Sequence, residues 1–126
     1  MPIDVLLKMR SGPDPVFVTQ ARHHLSDAME GSHQRCIDDA QLVLGELMSN
    51  AIEHAHSNID ISVARMGDAL HIEVDDDDRT GRPRVLHPDP MSEAGRGLLI
   101  VERVSMRWGV ERHWGDGKTM WAELAC

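Results

Sequence analysis

Apolar residues in the middle of the chain recur with the spacing of one buried helical face. Between residues 34 and 55 they lie three or four positions apart, which is the period of an α-helix and not of a strand. Polar residues occupy the positions between them. The pattern predicts one long helix from about Gln34 to Ala55, with a core-facing row of Ala40, Val43, Leu44, Leu47, Ala51 and Ala55.

In the rest of the chain the spacing of apolar and polar positions predicts a small sheet and two further helices. Residues 58–65 and 69–76 alternate apolar and polar positions around Gly67-Asp68, which is typical of a hairpin. The other predicted elements are a strand over residues 3–9, a helix over residues 17–29 that Gly31 ends, a helix from the Gly95 region to about Arg107, and a last hairpin of residues 108–113 and 118–125.

Length and composition indicate a single domain spanning residues 1–126. A domain of this size buries roughly two-thirds of its unfolded surface, so it needs no disulfide. Its two cysteines, Cys36 and Cys126, lack the spacing of metal ligands. We find no signal peptide and no long apolar run, and therefore expect a cytoplasmic protein. The net charge of -8 disfavours nonspecific binding to nucleic acid and favours a partner with a basic face.

The long predicted helix carries candidate chemistry along one edge of its apolar face. Glu46 and Asn50 lie four residues apart, so their side chains are neighbours on the helix surface and can converge on one ligand. His54 continues the same row. The alternative is an ordinary amphipathic helix whose border is polar.

A glycine pair opens the helix that follows the proline-rich segment. In Gly95-Arg96-Gly97-Leu98 the glycines let a ligand approach the backbone closely. The first turn of a helix also offers unpaired N–H groups that suit phosphate oxygens. A pair of this kind is also common at plain junctions between a loop and a helix.

A strand running into four consecutive carboxylates is the third candidate feature. Residues 70, 72 and 74 are apolar and point inward, so Asp76 continues the inward row. A carboxylate there can accept a hydrogen bond from an exocyclic amine. The other three aspartates are expected to serve solubility or a local cap. The basic residues after them, Arg79, Arg82 and Arg84, are expected in a solvated loop.

Four motifs thus follow one another: Glu46-x-x-x-Asn50-Ala51-x-x-His54-Ala55, Val74-x-Asp76, Gly95-Arg96-Gly97-Leu98 and Gly117-Lys118-Thr119-Met120-Trp121. Their order resembles the ATP-binding module shared by histidine kinases, gyrase-type ATPases and anti-sigma-factor serine kinases. It is most similar to the short anti-sigma members, over roughly residues 21–124. The resemblance implies a Bergerat fold, an α/β (α+β) two-layer sandwich whose mixed, mostly antiparallel sheet is covered by helices on one face.

The resemblance also implies a role for each matching residue. Glu46 would be the general base, taking the proton from a serine or threonine hydroxyl of a protein substrate. Asn50 would supply a side-chain oxygen to Mg²⁺, and Asp76 would bind the adenine amine. The other implied ATP-binding residues are His54, Gly95, Arg96, Gly97, Leu98 and, in the adenine pocket, Thr119. The expected cofactors are ATP and Mg²⁺, with residues 79–94 as a lid.

The implied function is that of an ATP-binding regulatory protein, an anti-sigma-type serine/threonine kinase. Its expected partners are an antagonist (anti-anti-sigma) protein, a sigma factor and a second copy of the chain, without direct nucleic-acid or membrane binding. One departure is Asp78, which stands where the wider family usually has glycine. The alternative function is therefore a non-catalytic nucleotide-binding or protein-interaction module. A third class, an ATPase subunit or a detached histidine-kinase catalytic domain, is less favoured because no phospho-accepting helix precedes the first motif.

Overall fold

The computed structural model describes residues 2–54, 58–77, 93–113 and 117–126, and for residues 93–96 it describes the backbone alone. Its strands and helices follow one another in the predicted order. They are β1 (Ile3–Ser11), α1 (Pro15–Ala28), α2 (Gln34–His54), β2 (Ile59–Met66), β3 (Ala69–Asp76), α3 (Glu93–Val104), β4 (Arg107–Arg112) and β5 (Lys118–Ala125).

The strands form one five-stranded sheet in the order β1-β2-β3-β5-β4. All four pairings between the described strands are antiparallel, so the sheet has no parallel pair in that part of the chain. β3 is central and pairs with β2 on one side and β5 on the other. Its register with β5 sets Asp76 opposite Lys118 and Asp75 opposite Thr119.

The helices cover one face of the sheet. α2 contacts β2, β3 and β5, α1 contacts β1 and α2, and α3 contacts α2 and β4. Alternate strand residues point to this face, as expected for a half-covered sheet. The buried apolar strand residues on it are Leu7, Ile59, Ile61, Val63, Leu70, Ile72, Val74, Met120, Ala122 and Leu124.

The apolar row predicted on the long helix is buried as expected. Ala40, Val43, Leu44, Leu47 and Ala51 are at most 1% exposed, whereas Ala55 lies outside the described residues. α1 begins where Asp14 accepts a hydrogen bond from the Val16 amide at 3.0 Å, with proline at the first helical position. This helix buries Phe17, Ala21 and Leu25.

The predicted end of α3 at about Arg107 is wrong by three residues. α3 ends at Val104, and Arg107 already belongs to β4. The reason is a tertiary contact, because the Met106 amide donates to the Glu123 carbonyl of β5 at 2.8 Å. The chain after Val104 therefore pairs with β5 and does not form another turn of α3.

The face of the sheet away from the helices, which we call the outer face, carries polar side chains. Arg107 binds the Glu123 carboxylate from the adjacent strand, with Nε 3.1 Å from Oε2. This hydrogen bond, with a smaller contribution from His71, holds the pKa of Glu123 below its ordinary value. His71 stacks on Trp121 with ring centroids 5.9 Å apart.

The two cysteines are free thiols that lie close together at one end of the molecule. The Cys36 Sγ, in the first turns of α2, is 3.9 Å from the Ala125 carbonyl oxygen. Burial, and next a hydrogen bond with Cys36, raise the pKa of the Cys126 thiol to about 12.

Candidate functional site

The first and third sequence motifs meet where α2 packs against α3. The Glu46 carboxylate lies so close to Gly97 that a Cβ at position 97 would overlap Oε2 of Glu46. That Cβ would also be 3.5 Å from Cδ of the same carboxylate. Only glycine allows this approach without displacing the carboxylate or the helix. Residues 51 positions apart in sequence therefore form one site.

The position of Glu46 relative to α3 is favourable for a negative group. Gly97 is the fifth residue of α3, close to the amino end of the helix. The aligned peptide dipoles of a helix favour negative charge near that end. The same property would stabilise phosphate oxygens there.

Asn50 and His54 continue from Glu46 along α2. Asn50 is half-buried and one turn beyond Glu46, whereas His54 is exposed in the last turn of the helix. The three side chains thus run from the edge of the core towards solvent. Leu98 is half-buried and packs against the core, so only its backbone is suited to contact a polar ligand.

A buried ion pair lies at the end of β3, at the position of the second motif. Asp76 and Lys118 project into the helical face from neighbouring strands, and Lys118 Nζ is 3.4 Å from Asp76 Oδ2. Their side chains are 0% and 3% exposed. The inward position predicted for Asp76 is therefore present, with a cation beside it.

Gly117 fixes the distance between these two strands. Its φ of +90° lies in the left-handed region, which L-residues rarely adopt. A Cβ at this position would overlap the Asp76 carbonyl oxygen and lie 2.7 Å from Cα of Asp77. Because the two backbones lie this close, the next residue, Lys118, is directly opposite Asp76.

Thr119 points to the outer face, away from Asp76. Its hydroxyl donates a hydrogen bond to Asp75 Oδ1, and His113 Nε2 lies 2.7 Å from the same hydroxyl oxygen. Because the single hydroxyl hydrogen is used towards Asp75, His113 must be the donor to Thr119. The residue that adjoins Asp76 is thus Lys118 and not Thr119.

Sequence reasoning missed Lys118, although a signal for it was present. In β5 the residues Met120, Ala122 and Leu124 alternate on the buried face. Counting back two positions from Met120 puts Lys118 on that face and Thr119 on the other.

Several predicted features fall wholly or partly outside the described residues. These are Asp78, the basic residues Arg79, Arg82 and Arg84, and residues 79–92 of the expected lid; of Gly95 and Arg96 only the helical backbone is described.

The donor set fits a weakly held magnesium ion. Within the described ranges, no group of three or more histidine, cysteine, aspartate or glutamate side chains could hold a metal. Mg²⁺ is, however, commonly held by one or two protein oxygens together with substrate phosphates and water. Asn50 and Glu46, one turn apart on α2, offer oxygens of this kind.

These features define a class of protein. An antiparallel sheet carries helices on one face, and a helix with a carboxylate and an amide packs against a glycine-containing helix. This is the architecture of a Bergerat-type, ATP-binding kinase-like module, as the sequence predicted.

The chain belongs to the family of histidine kinase-like ATPase domains, whose sequence profile matches residues 13–122. No curated protein matches it significantly. None of the helices in the described part of the chain is long and apolar enough to cross a membrane.

A solved structure with the same fold is the histidine kinase domain of the blue-light activated histidine kinase EL346 from Erythrobacter litoralis. The TM-score is 0.58 at 16% sequence identity, with 86% of this chain aligned. The chain spans 60% of that structure. At this identity the likeness establishes the fold alone.

Proposed function

We propose that this protein is an ATP-dependent serine/threonine kinase of the anti-sigma-factor type, which phosphorylates an antagonist protein and sequesters a sigma factor. The observation that carries the proposal is the contact between Glu46 and Gly97. It brings a carboxylate suited to removing a proton next to a helix end suited to phosphate oxygens. The net charge of -8 also suits protein partners with basic faces.

Phosphoryl transfer depends mainly on positioning and on neutralising charge, with little covalent chemistry left to the protein. Glu46 would accept the proton of the attacking hydroxyl. Asn50 would give its side-chain oxygen to Mg²⁺, which when bound neutralises charge on the phosphates. Gly95 and Gly97 would let the backbone of α3 approach the phosphate oxygens closely, with Arg96 contributing a backbone amide from the first turn and Leu98 holding the helix against the core beside the nucleotide.

The remaining roles concern the two ends of the nucleotide. His54, exposed at the end of α2, would lie near the phosphates. Asp76 would accept a hydrogen bond from the adenine amine on the helical face. Thr119 would support this pocket from β5, beside Lys118, with its hydroxyl held by Asp75 on the outer face.

The first test is nucleotide binding, measured as thermal stabilisation by ATP, ADP and GTP with and without Mg²⁺. A ligand that binds the folded state raises its apparent stability. We expect ATP and ADP to stabilise the protein, ATP more strongly with Mg²⁺, and GTP to have little effect. Equal stabilisation by adenine and guanine nucleotides would contradict the role of Asp76.

The second test separates catalysis from binding with a matched pair of glutamate variants. Glu46→Gln keeps the shape of the side chain but removes the base, so phosphoryl transfer should fall about 100-fold or more while stabilisation by ATP is kept. Glu53→Gln, an exposed substitution two turns along the same helix, should leave both unchanged. Transfer is followed with labelled ATP and a candidate antagonist protein as the phosphate acceptor.

The alternative function, a non-catalytic interaction module, makes the opposite prediction. It is favoured by Asp78, which stands where the wider family usually has glycine. In that case no phosphoprotein forms under any condition, and the Glu46→Gln protein binds its protein partner as the unmodified chain does.

A further inference from the structure

The ion pair of Asp76 and Lys118 is the feature of the buried face that the roles above leave unexplained. Both side chains come from central strands, β3 and β5, and both point towards the helices. Their exposures of 0% and 3% make them the most buried of the described ion pairs, since each of the others has at least one partner more than 20% exposed. Lys118 is also one of only two lysines in the chain, the other being Lys8.

Stability is a weak reason for such a pair. Removing two charges from water costs more than their attraction usually returns, and apolar residues of similar volume often serve equally well. Lysine is also among the residues least often fully buried. A second role of the Lys118 ammonium group would account for its burial. The proposed binding of adenine by Asp76 indicates what that role is.

The two groups together offer an acceptor beside a donor. Adenine presents the matching pair on one edge, with the exocyclic N6 amine as donor and the ring nitrogen N1 as acceptor. A lysine has three N–H donors, so it can bind Asp76 and still donate to a base. The geometry thus suits recognition of the edge of adenine on which the N6 amine and N1 lie side by side.

We propose that Lys118 determines base specificity by donating a hydrogen bond to N1 of adenine while Asp76 accepts one from the N6 amine. The inference depends on the proposed function, because it requires a nucleotide whose base reaches Asp76. It adds to that function a second, positively charged contact with the base.

The pair would discriminate strongly against guanine. In the same orientation guanine places its O6 oxygen against the Asp76 carboxylate and its N1–H against the Lys118 ammonium. The first contact sets an acceptor against an acceptor and the second a donor against a donor. Neither can form a hydrogen bond, and leaving buried polar groups without one costs binding free energy. A lone aspartate would provide only the first of these two mismatches.

The decisive experiment compares ATP with 1-deaza-ATP, in which a C–H replaces N1. If Lys118 binds N1, the unmodified protein should bind 1-deaza-ATP about ten- to a hundredfold more weakly, as for a lost hydrogen bond to a charged group. In Lys118→Met the two analogues should bind within about twofold of each other. Lys8→Met, an exposed substitution on β1, should keep the discrimination of the unmodified chain.

Folding of the Lys118→Met protein is checked by thermal denaturation, because the substitution leaves Asp76 buried without its cation. The double variant Asp76→Asn, Lys118→Met removes both charges and should also bind the two analogues equally. Since each ratio is measured within one protein, a general loss of affinity does not alter it.

The outcomes separate this inference from the proposed function. Binding of ATP with equal affinity for 1-deaza-ATP in the unmodified protein overturns the role of Lys118 and leaves the kinase proposal standing. Discrimination that persists in Lys118→Met also overturns it. Absence of binding by any adenine nucleotide overturns both.

Discussion

Gly97 lets the Glu46 carboxylate lie closer to α3 than a residue with a Cβ would allow. A methyl group at this position would overlap the Glu46 carboxylate, so Gly97→Ala must displace the carboxylate or separate α3 from α2. Because displacements of about 1 Å cost on the order of 100-fold in rate, we expect phosphoryl transfer to fall by about that factor. Steady-state kinetics with labelled ATP measures it.

Gly45 provides the matched control for this substitution. It lies in α2 beside Glu46, but a Cβ there would meet Arg22 Cδ at 3.5 Å, an ordinary contact. Gly45→Ala should therefore keep the transfer rate and, since alanine favours helices, raise the free energy of unfolding by about 0.5–1 kcal/mol. Equal rates for the two alanine variants would show that the contact at Gly97 is unimportant.

The face of the sheet on which a residue lies could be predicted from the sequence wherever the alternation of apolar and polar residues along a strand decides it. Alternation through β3 put Asp76 on the buried face, and burial confirms it. The contact between Glu46 and Gly97 could not be predicted in this way, because it depends on how two distant helices pack. The neighbour of Asp76 in the sheet depends on the register of β5, and that neighbour is Lys118.

At the scale of elements, the pairing of β4 with β5 carries a pH-dependent contact. The hydrogen bond from Arg107 lowers the pKa of Glu123 below its ordinary value of 4.5. The pair therefore stabilises the folded state above that ordinary value, and the stabilisation is lost as the pH falls through the lowered pKa. Because the Arg107 side chain is 69% exposed, solvent screening keeps the contribution to about 0.2–1 kcal/mol.

Arg107→Gln should reveal this contribution in denaturation curves. We expect the variant to be less stable than the unmodified protein at about pH 6, with the difference shrinking as the pH approaches 3. Arg35→Gln, an exposed substitution in α2, removes the same charge without this contact and serves as the reference. A difference that stays constant with pH would argue against the link to Glu123.

Element boundaries were predictable where a local signal ends them. β3 and β5 begin and end at the predicted residues, and each begins directly after a turn that contains glycine, Gly67-Asp68 before β3 and Gly117 before β5. The end of α3 was not predictable, because the Met106 amide is bound by a strand residue that follows 17 positions later. Local periodicity carries no information about such a partner.

For the whole molecule, the thiol of Cys126 reports whether β5 and α2 stay together. Its pKa of about 12 instead of 9.0 leaves on the order of a thousandfold less reactive thiolate near pH 8. In a Cys36→Ser variant, which keeps Cys126 as the single thiol, alkylation should be slow in buffer and fast in denaturant. Labelling kinetics followed by mass spectrometry measure both rates.

A native labelling rate equal to that in denaturant would mean that the end of β5 opens freely. The ordinary thiol of an unfolded peptide is the reference for this comparison. Addition of ATP tests whether Cys126 becomes accessible by global unfolding. If it does, a ligand bound between the sheet and the helices should slow labelling further, because it stabilises the folded state.

Hydrophobic patterns predicted the individual helices and strands, because each needs one buried face, whereas the two-layer architecture was implied by the resemblance of the four motifs. The order of the helices and strands along the chain then left few ways to cover a five-stranded sheet. The nucleotide site was harder to predict, since its parts come from α2, α3, β3 and β5, and the contacts between them are not encoded in any one segment.

The close approach of Gly117 to the end of β3 makes this position sensitive to the chirality of the residue. The backbone there turns with a positive φ, and the space on the side where an L-residue carries its Cβ is filled by the peptide of Asp76 and Asp77. Any L-residue would therefore combine an unfavourable φ with an overlap between its Cβ and this peptide. The twenty encoded amino acids leave this position a single choice, and the alignment of Asp76 with Lys118 depends on it.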